Sequence, residues 1–230
     1  MTKLSKRARE NEKLIPAEPL EPKDALAALK KFKATKFDQS VEVCMHLGVD
    51  TRQADQMLRG SVSLPNGIGK NKTVIAFCAD EHVQAALDAG AVKAGGAELS
   101  QEVEKGWMDF DVAIASPDMM RVISKLGRVL GPKGLMPSPK NGTVTPKVVE
   151  AVGEFAAGKV EYRTDKGGNI HAIIGKMSFT EANLLENYSH FIDTVEKIRP
   201  STVKGPYIKS ITLSGTMTPG VQIKLAAEEA

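Results

Sequence analysis

Apolar and polar positions change rhythm twice along the chain. After Pro22, the residues Ala25, Leu26, Leu29 and Phe32 recur at helical spacing, which predicts a short helix with proline in its first turn. Ser40 to Leu47 then alternates, with Val41, Val43, Met45 and Leu47 on one face, the pattern of a half-buried strand. Near LPNGIGKNK the character shifts: Thr73 to Ala79, TVIAFCA, is an almost unbroken apolar run, as expected of a strand covered on both faces. A helix is expected from Asp80 to Ala89, closed by Gly90, and a second apolar strand from Asp111 to Ala115. Ser116 and Pro117 are a helix-start signal for a segment running to about Leu126, and Thr145–Pro146 repeats it for a helix ending near Gly158. Alternation returns in the last third. Lys159–Arg163 and Ile170–Ile174 read as strands joined by the turn DKGGN, and Thr180 caps a helix that Pro200 stops after Ile198. Tyr207–Leu213 and Val221–Leu225 form a final strand pair around the turn SGTMTPG.

Strand–helix alternation in the middle implies a parallel sheet, whereas both chain ends carry alternating strands with helices. The expected fold class is therefore α/β and α+β in a two-domain protein. A two-segment α+β domain is built from residues 16–66 and 159–230, with a Rossmann-like parallel α/β domain, 67–158, inserted in it. Residues 1–15 are expected to be a basic mobile tail, followed by a stiff linker at Pro16, Pro19 and Pro22. The sequence holds no internal repeat and no heptad pattern.

With 230 residues and 42% hydrophobic content the chain can bury a core in each domain. It has no apolar run long enough to span a bilayer, and its basic start lacks the apolar stretch of a signal peptide, so a cytoplasmic protein without a membrane partner is expected. The only cysteines, Cys44 and Cys78, make neither a disulfide framework nor a metal site and are expected as buried, reduced packing residues.

Net charge is only +3, so any nucleic-acid surface must come from segregated charge. Two windows without Asp or Glu show such segregation, Met119–Val149 and Lys197–Ala227. The first contains GRVLGPKGLMPSPKNGTV, Gly127 to Val144, whose four glycines and three prolines rule out a regular helix or central strand and imply a shaped basic loop. A phosphate-bearing partner would use such a loop; an ordinary solvated loop has the same composition.

Enzymatic readings find little support. Asp80 and Glu81 stand where a nucleotide phosphate would meet the helix after TVIAFCA. GIGKNK fails as a phosphate-binding loop, since Leu64 occupies the first glycine position and Asn71 that of Ser or Thr. The four histidines are scattered, and neither GxSxG nor HExxH occurs. No catalytic residue, cofactor or metal is expected, although a nucleotide-dependent α/β enzyme stays open as an alternative.

RNA binding needs cations for phosphates and a few polar or flat groups for 2′-hydroxyls and bases. Three segments supply them: Lys36 and Phe37 before the first strand; Tyr162, Arg163, Asp165, Lys166, His171, Lys176 and Ser178 around DKGGN; and Ser210, Thr216 and Met217 late in the chain. On residue type alone, the ordinary reading is favoured for each: Phe37 and Met217 as core, and Ser210 and Thr216 as strand or turn residues.

The string SKLGRVLGPKGLMPSPK resembles the signature of the bacterial large-subunit ribosomal protein L-one family, the stalk protein beside the tRNA exit site. The likeness extends through KFDQSVEVCMHLGVDTRQADQMLRG, DKGGNIHAIIGKMSF and GTMTPGVQI, from about Pro22 to Leu225. It implies that the positions matching Phe37, Ser210, Thr216 and Met217 belong to the rRNA-contacting surface of the two-segment domain, with the basic residues around them serving the backbone. Lys36, Ser40, Arg163, Asp165, Lys166, His171, Lys176 and Ser178 complete that candidate surface, and Arg128, Lys133 and Lys140 of the Gly/Pro loop are expected as secondary RNA contacts. The partners implied are the large-subunit rRNA stalk, exit-site tRNA, other ribosomal proteins and, through repression, the protein's own mRNA. The stalk would swing as deacylated tRNA leaves, hinged where the chain crosses between domains. A non-ribosomal RNA-binding protein remains the other alternative. One departure stands out: the family usually has Gly after the Thr-Met pair, and a positive φ there would strain Thr218.

Overall fold

The structure is a computed structural model that describes residues 5–225. The chain divides into two compact units, Met1–Gly69 with Tyr162–Ala230, and Lys70–Glu161. The first unit opens with helix α1 (Lys6–Glu12). Within the expected basic tail, Lys6–Glu12 is helical, while residues 1–4 lie outside the described residues. The Ser5 hydroxyl accepts from the Ala8 N–H at 3.2 Å. Asn11, 2% exposed, accepts the Lys33 N–H at 2.9 Å, and Lys33 Nζ pairs with Glu10 at 2.6 Å. Polar ties to Lys33 hold a helix that charge composition alone reads as a tail.

Helix α2 (Pro22–Lys31) places Ala25, Leu26 and Leu29 inward. Strand β1 (Ser40–Leu47) alternates buried and half-buried along its whole length, as its sequence requires. Strand β2 (Arg59–Val62) follows.

In the second unit, β3 (Val74–Phe77) leads into α3 (Asp80–Asp88), β4 (Lys93–Gly95), α4 (Ala97–Glu104) and β5 (Val112–Ala115). The strands form a parallel sheet in the order β4-β3-β5. Successive side chains of the apolar run divide between two cores: Val74, Ala76 and Cys78 pack with Ala86, Val152 and Phe155, while Ile75 and Phe77 pack with Leu99, Val103, Ile123 and Leu130. That division explains why the run shows no polar alternation.

The segment after Pro117 is helical in short pieces, a 3₁₀ turn at Pro117–Met119, α5 (Met120–Ile123), a second turn at Ser124–Leu126 and α6 (Gly127–Leu130). The Ser116 side chain makes no capping bond; its carbonyl accepts the Met119 N–H instead. Helical structure thus enters the Gly/Pro stretch as far as Leu130, whose carbonyl then receives the Leu135 N–H. Helix α7 (Val148–Ala156) starts later than Thr145–Pro146 suggests. Val144 bridges Ala115 and the Thr145 N–H donates to the Ala115 carbonyl at 3.1 Å, which keeps these residues extended beside β5.

Strand β6 (Val160–Arg163), whose Tyr162–Arg163 end belongs to the first unit, is followed by β7 (Asn169–Lys176), α8 (Glu181–Lys197), β8 (Ile208–Gly215) and β9 (Val221–Ile223). The main sheet of this unit is antiparallel where β7, β1, β8 and β9 pair, in the order β7-β1-β8-β9. β6 pairs with β2 rather than forming a hairpin with β7; past DKGGN the link is a bridge between Thr164 and Ile170. The cause is Thr164, whose hydroxyl and N–H both bond Leu58.

Helix α8 begins with the Thr180 hydroxyl accepting the Asn183 N–H. Leu184, Asn187, Tyr188, Phe191 and Val195 form its buried stripe. Asn187 is fully buried and satisfied: its amide donates to Ile174 O at 2.7 Å and Gly67 O at 3.0 Å, and its carbonyl accepts the Asn66 N–H at 3.0 Å. Ile174 is the residue that the β1–β7 register skips, so Asn187 serves the carbonyl of a β-bulge.

Candidate nucleic-acid interface

The four-stranded sheet has two unlike faces. α2 packs against β8 and β9, and α8 against β7, covering the face of Val41, Val43, Met45 and Leu47. The alternate residues of β1, Ser40, Glu42, Cys44 and His46, lie on the other face. Their neighbours continue it: Ser40 opposes Lys176, Cys44 opposes His171 and Thr212, and His46 opposes Asn169 and Ser210.

At the Ser40 end the structure gathers seven of the expected residues. Thr216 N–H donates to Ser40 O at 3.1 Å, and Ser40 N–H donates to Thr216 Oγ1 at 3.1 Å. Lys176 Nζ donates to Ser40 Oγ at 2.9 Å. Buried Gln39 accepts the Met217 N–H through its side chain at 2.8 Å and the Met177 N–H through its backbone at 2.9 Å. Ser178 is tied to Asp38 by its hydroxyl at 2.7 Å and its N–H at 3.2 Å. Lys36 is exposed, and Phe37 and Met217 are 51% and 54% exposed, which removes the core reading of both. Two large apolar side chains standing in water beside cations and hydroxyls suit the shallow groove of an RNA helix.

The remaining five residues lie at the other end. The Asp165 carboxylate organises the DKGGN turn, accepting the N–H groups of Gly167 and Asn169, each at 2.8 Å, and Asn169 Nδ2 at 3.0 Å. Those bonds from Asn169 and Gly167, aided by His171, hold its pKa below the ordinary value. His171 Nε2 stands 3.9 Å from Asp165 Oδ2, and both are exposed, as are Arg163 and Lys166. Ser210 is six residues before Thr216, about 20 Å away at ~3.3 Å per strand residue, so it joins this end and not the first. Tyr162, grouped with these residues from sequence, is buried against Phe191 and belongs to the core.

Arg128, Lys133 and Lys140 are exposed in the second unit. Lys140 lies in a 3₁₀ turn, Pro139–Asn141, whose Asn141 side chain bonds Glu161. Thr218 carries no strain. Among the described residues no non-glycine has positive φ, and Thr218 Oγ1 accepts the Gly215 N–H at 2.7 Å, closing the turn that Gly would otherwise open.

The sequence reading left out the middle of the open face: Glu42, Cys44, His46, Asn169 and Thr212. The signal was present, because the alternation that puts Val41 to Leu47 inward puts these residues outward. His46 Nδ1 lies 2.9 Å from Asn169 Oδ1, linking this face to the Asp165 turn. Cys44 is half-buried there, contrary to the buried packing role expected of it, whereas Cys78 is fully buried. Burial and the nearby Asp165 charge push the Cys44 thiol up, which leaves it a poor nucleophile.

Among the described residues no cluster of three or more His, Cys, Asp or Glu side chains could hold a metal, and no helix is long and apolar enough to cross a membrane.

Residues 29–219 match the family model described as the Ribosomal protein L1p/L10e family. Among curated proteins, the large ribosomal subunit protein uL1 of Lactiplantibacillus plantarum is 48% identical over 228 residues, which cover 99% of this chain and 100% of that protein.

Proposed function

The chain belongs to the Ribosomal protein L1p/L10e family, a structural, non-enzymatic family, and from that premise we propose that it is an rRNA-binding protein of the large ribosomal subunit in the cytoplasm. The open sheet face of the first unit would hold the rRNA stalk, the stalk would be mobile beside the exit site, and its movement would assist release of deacylated tRNA. The same face would accept an mRNA segment that copies the rRNA element. The observation that carries the reading is the joining of Ser40 and Thr216 at the sheet end, with Phe37 and Met217 exposed and Lys36 and Lys176 beside them.

Each group has a defined task. Lys36, Lys166, Lys176 and Arg163 meet phosphates and set register. The Thr216 hydroxyl reaches a 2′-hydroxyl or a base edge, and the Met217 thioether fills an irregular apolar contact. Arg128, Lys133 and Lys140 add secondary backbone contacts. The deciding experiment titrates the full chain with a transcript of the large-subunit rRNA stalk, an unrelated structured RNA, ATP and NAD. Tight binding to the stalk transcript alone is the expected result. Equal affinity for both RNAs would indicate a general RNA-binding protein, and binding of ATP or NAD without RNA would return the nucleotide-dependent enzyme.

A further inference from the structure

Helix α1 stands beside the Thr216–Met217 turn. Arg7, Ala8, Asn11 and Ile15 on one side, and Met217 and Pro219 on the other, line a cavity of about 230 Å³. Glu12 also borders it. Arg7 Nη1 is buried without a hydrogen-bond partner, the only such side-chain nitrogen or oxygen among the described residues. Nη1 does not itself face the cavity, but a buried donor without a partner costs free energy, and a turn of the guanidinium toward the cavity would give it one. The helix is held in place by the Asn11–Lys33 bond, and the Lys33–Glu10 pair offsets one of its acids.

These features describe a ligand with an apolar face and a polar edge. Ile15, Met217 and Pro219 offer adaptable apolar contact, while the Arg7 guanidinium offers a flat cation with several donors. The space is too small for a helix or a peptide strand and admits one ring system. Its wall is Met217, already part of the proposed interface, so RNA held at that turn brings its bases to the cavity mouth. We propose that this cavity receives one unstacked base of the bound RNA, packed on Met217 and Pro219, with the Arg7 guanidinium turned to the base edge. The proposal rests on the RNA-binding reading above, and adds α1 to the interface.

The test uses the full chain, the stalk transcript, and two variants. Ala8→Leu fills the cavity without changing charge and with little change in helix propensity. Arg7→Gln removes the cation and keeps a donor. Each protein is checked for melting, titrated with the transcript, and probed for protection of individual bases from chemical modification. Loss of one unstacked base is expected to weaken binding about tenfold in each variant. The same single base should lose protection in both, with melting unchanged. Wild-type affinity and protection in both variants would overturn the inference and leave the RNA-binding reading intact. A weaker Arg7→Gln with a normal Ala8→Leu would also overturn it, since that pattern belongs to a general phosphate contact. Failure of the wild-type chain to bind the transcript would remove the RNA-binding reading and this inference together.

Discussion

Ser40 and Thr216, 176 residues apart in sequence, hold each other by a reciprocal pair of hydrogen bonds. The Thr216 N–H donates to the Ser40 carbonyl and the Ser40 N–H to the Thr216 hydroxyl, each at 3.1 Å. The hydroxyl therefore fixes the start of β1 against the turn after β8: it accepts the Ser40 N–H, donates a long bond of 3.4 Å to the Ser40 carbonyl, and keeps a second lone pair for a partner.

This geometry changes what Thr216→Val should do. The Ser40 N–H loses its acceptor, so stability falls by about 1 kcal/mol before any RNA is present. Loss of the contact to RNA weakens binding by a further ~1–3 kcal/mol, roughly five- to hundredfold. Thr216→Ser keeps the hydroxyl and should restore both quantities. Denaturant unfolding and stalk-transcript titration on the two variants separate the effects. A Val variant that melts lower yet binds normally would confine the hydroxyl to a structural role.

Met217→Ala and Phe37→Ala address the exposed apolar pair. Both side chains are more than half exposed in the free protein, so truncation should change stability by less than about 0.5 kcal/mol. RNA affinity should drop clearly in each, because the apolar contact exists only in the complex. Reduced stability with unchanged affinity would reverse that assignment.

Much of the fold was legible because local signals agreed with tertiary burial. Val41 to Leu47 alternate and are buried in alternation; Thr180 announces α8 and caps it; TVIAFCA reads as doubly covered, and Val74 to Cys78 within it are buried. β2 and β4 were missed because four- and three-residue strands carry too little period to register. α4 starts at Ala97 behind Gly96, which has no side chain to cap it, so it lacks an opening signal. The candidate residues could be named by type from the sequence, but their grouping depends on register. Only the pairing of β1 with β7 and β8 shows that Lys176 and Thr216 meet Ser40, and that Ser210 stands with His46 instead.

Charge contacts should behave differently from the turn residues. Lys36→Ala and Lys166→Ala are expected to weaken binding to many RNAs alike and to reduce the salt slope by about one unit or less each. Lys176→Ala should add a small loss of selectivity, because its ammonium also holds the Ser40 hydroxyl. Lys133→Ala should have the smallest effect. A larger loss at Lys133 than at the other three would make the Gly/Pro loop the primary site.

The Asp165 turn predicts a pH dependence. Its carboxyl titrates below the ordinary value of 3.8 because Asn169 and Gly167 donate to the ionised form. Since the folded pKa is the lower one, the stability it supplies is fully present above the unfolded value and is lost as pH falls through the folded value. Asp165→Asn should therefore melt lower at neutral pH and show a shallower decline in acid. Parallel melting curves for wild type and variant across the acid range would mean the turn does not need the charge.

The two cores of the second unit make the last prediction. Val74, Ala76, Cys78 and Phe155 lie in one, Ile75, Phe77, Leu99 and Leu130 in the other, and all belong to Lys70–Glu161. A segment that buries both faces of its own parallel sheet has what it needs to fold alone. The fragment 70–161 should therefore unfold cooperatively, and Phe155→Ala within it should cost about 3–5 kcal/mol by opening a cavity under the sheet. The other unit, with a short flexible linker joining Gly69 to Tyr162, should retain most of the stalk-transcript affinity, because all twelve expected primary contacts lie in it. Two measurements decide the matter. A fragment 70–161 without a cooperative transition would show that its sheet depends on the rest of the chain. A folded remainder that binds almost no RNA would move the principal contact to Arg128, Lys133 and Lys140.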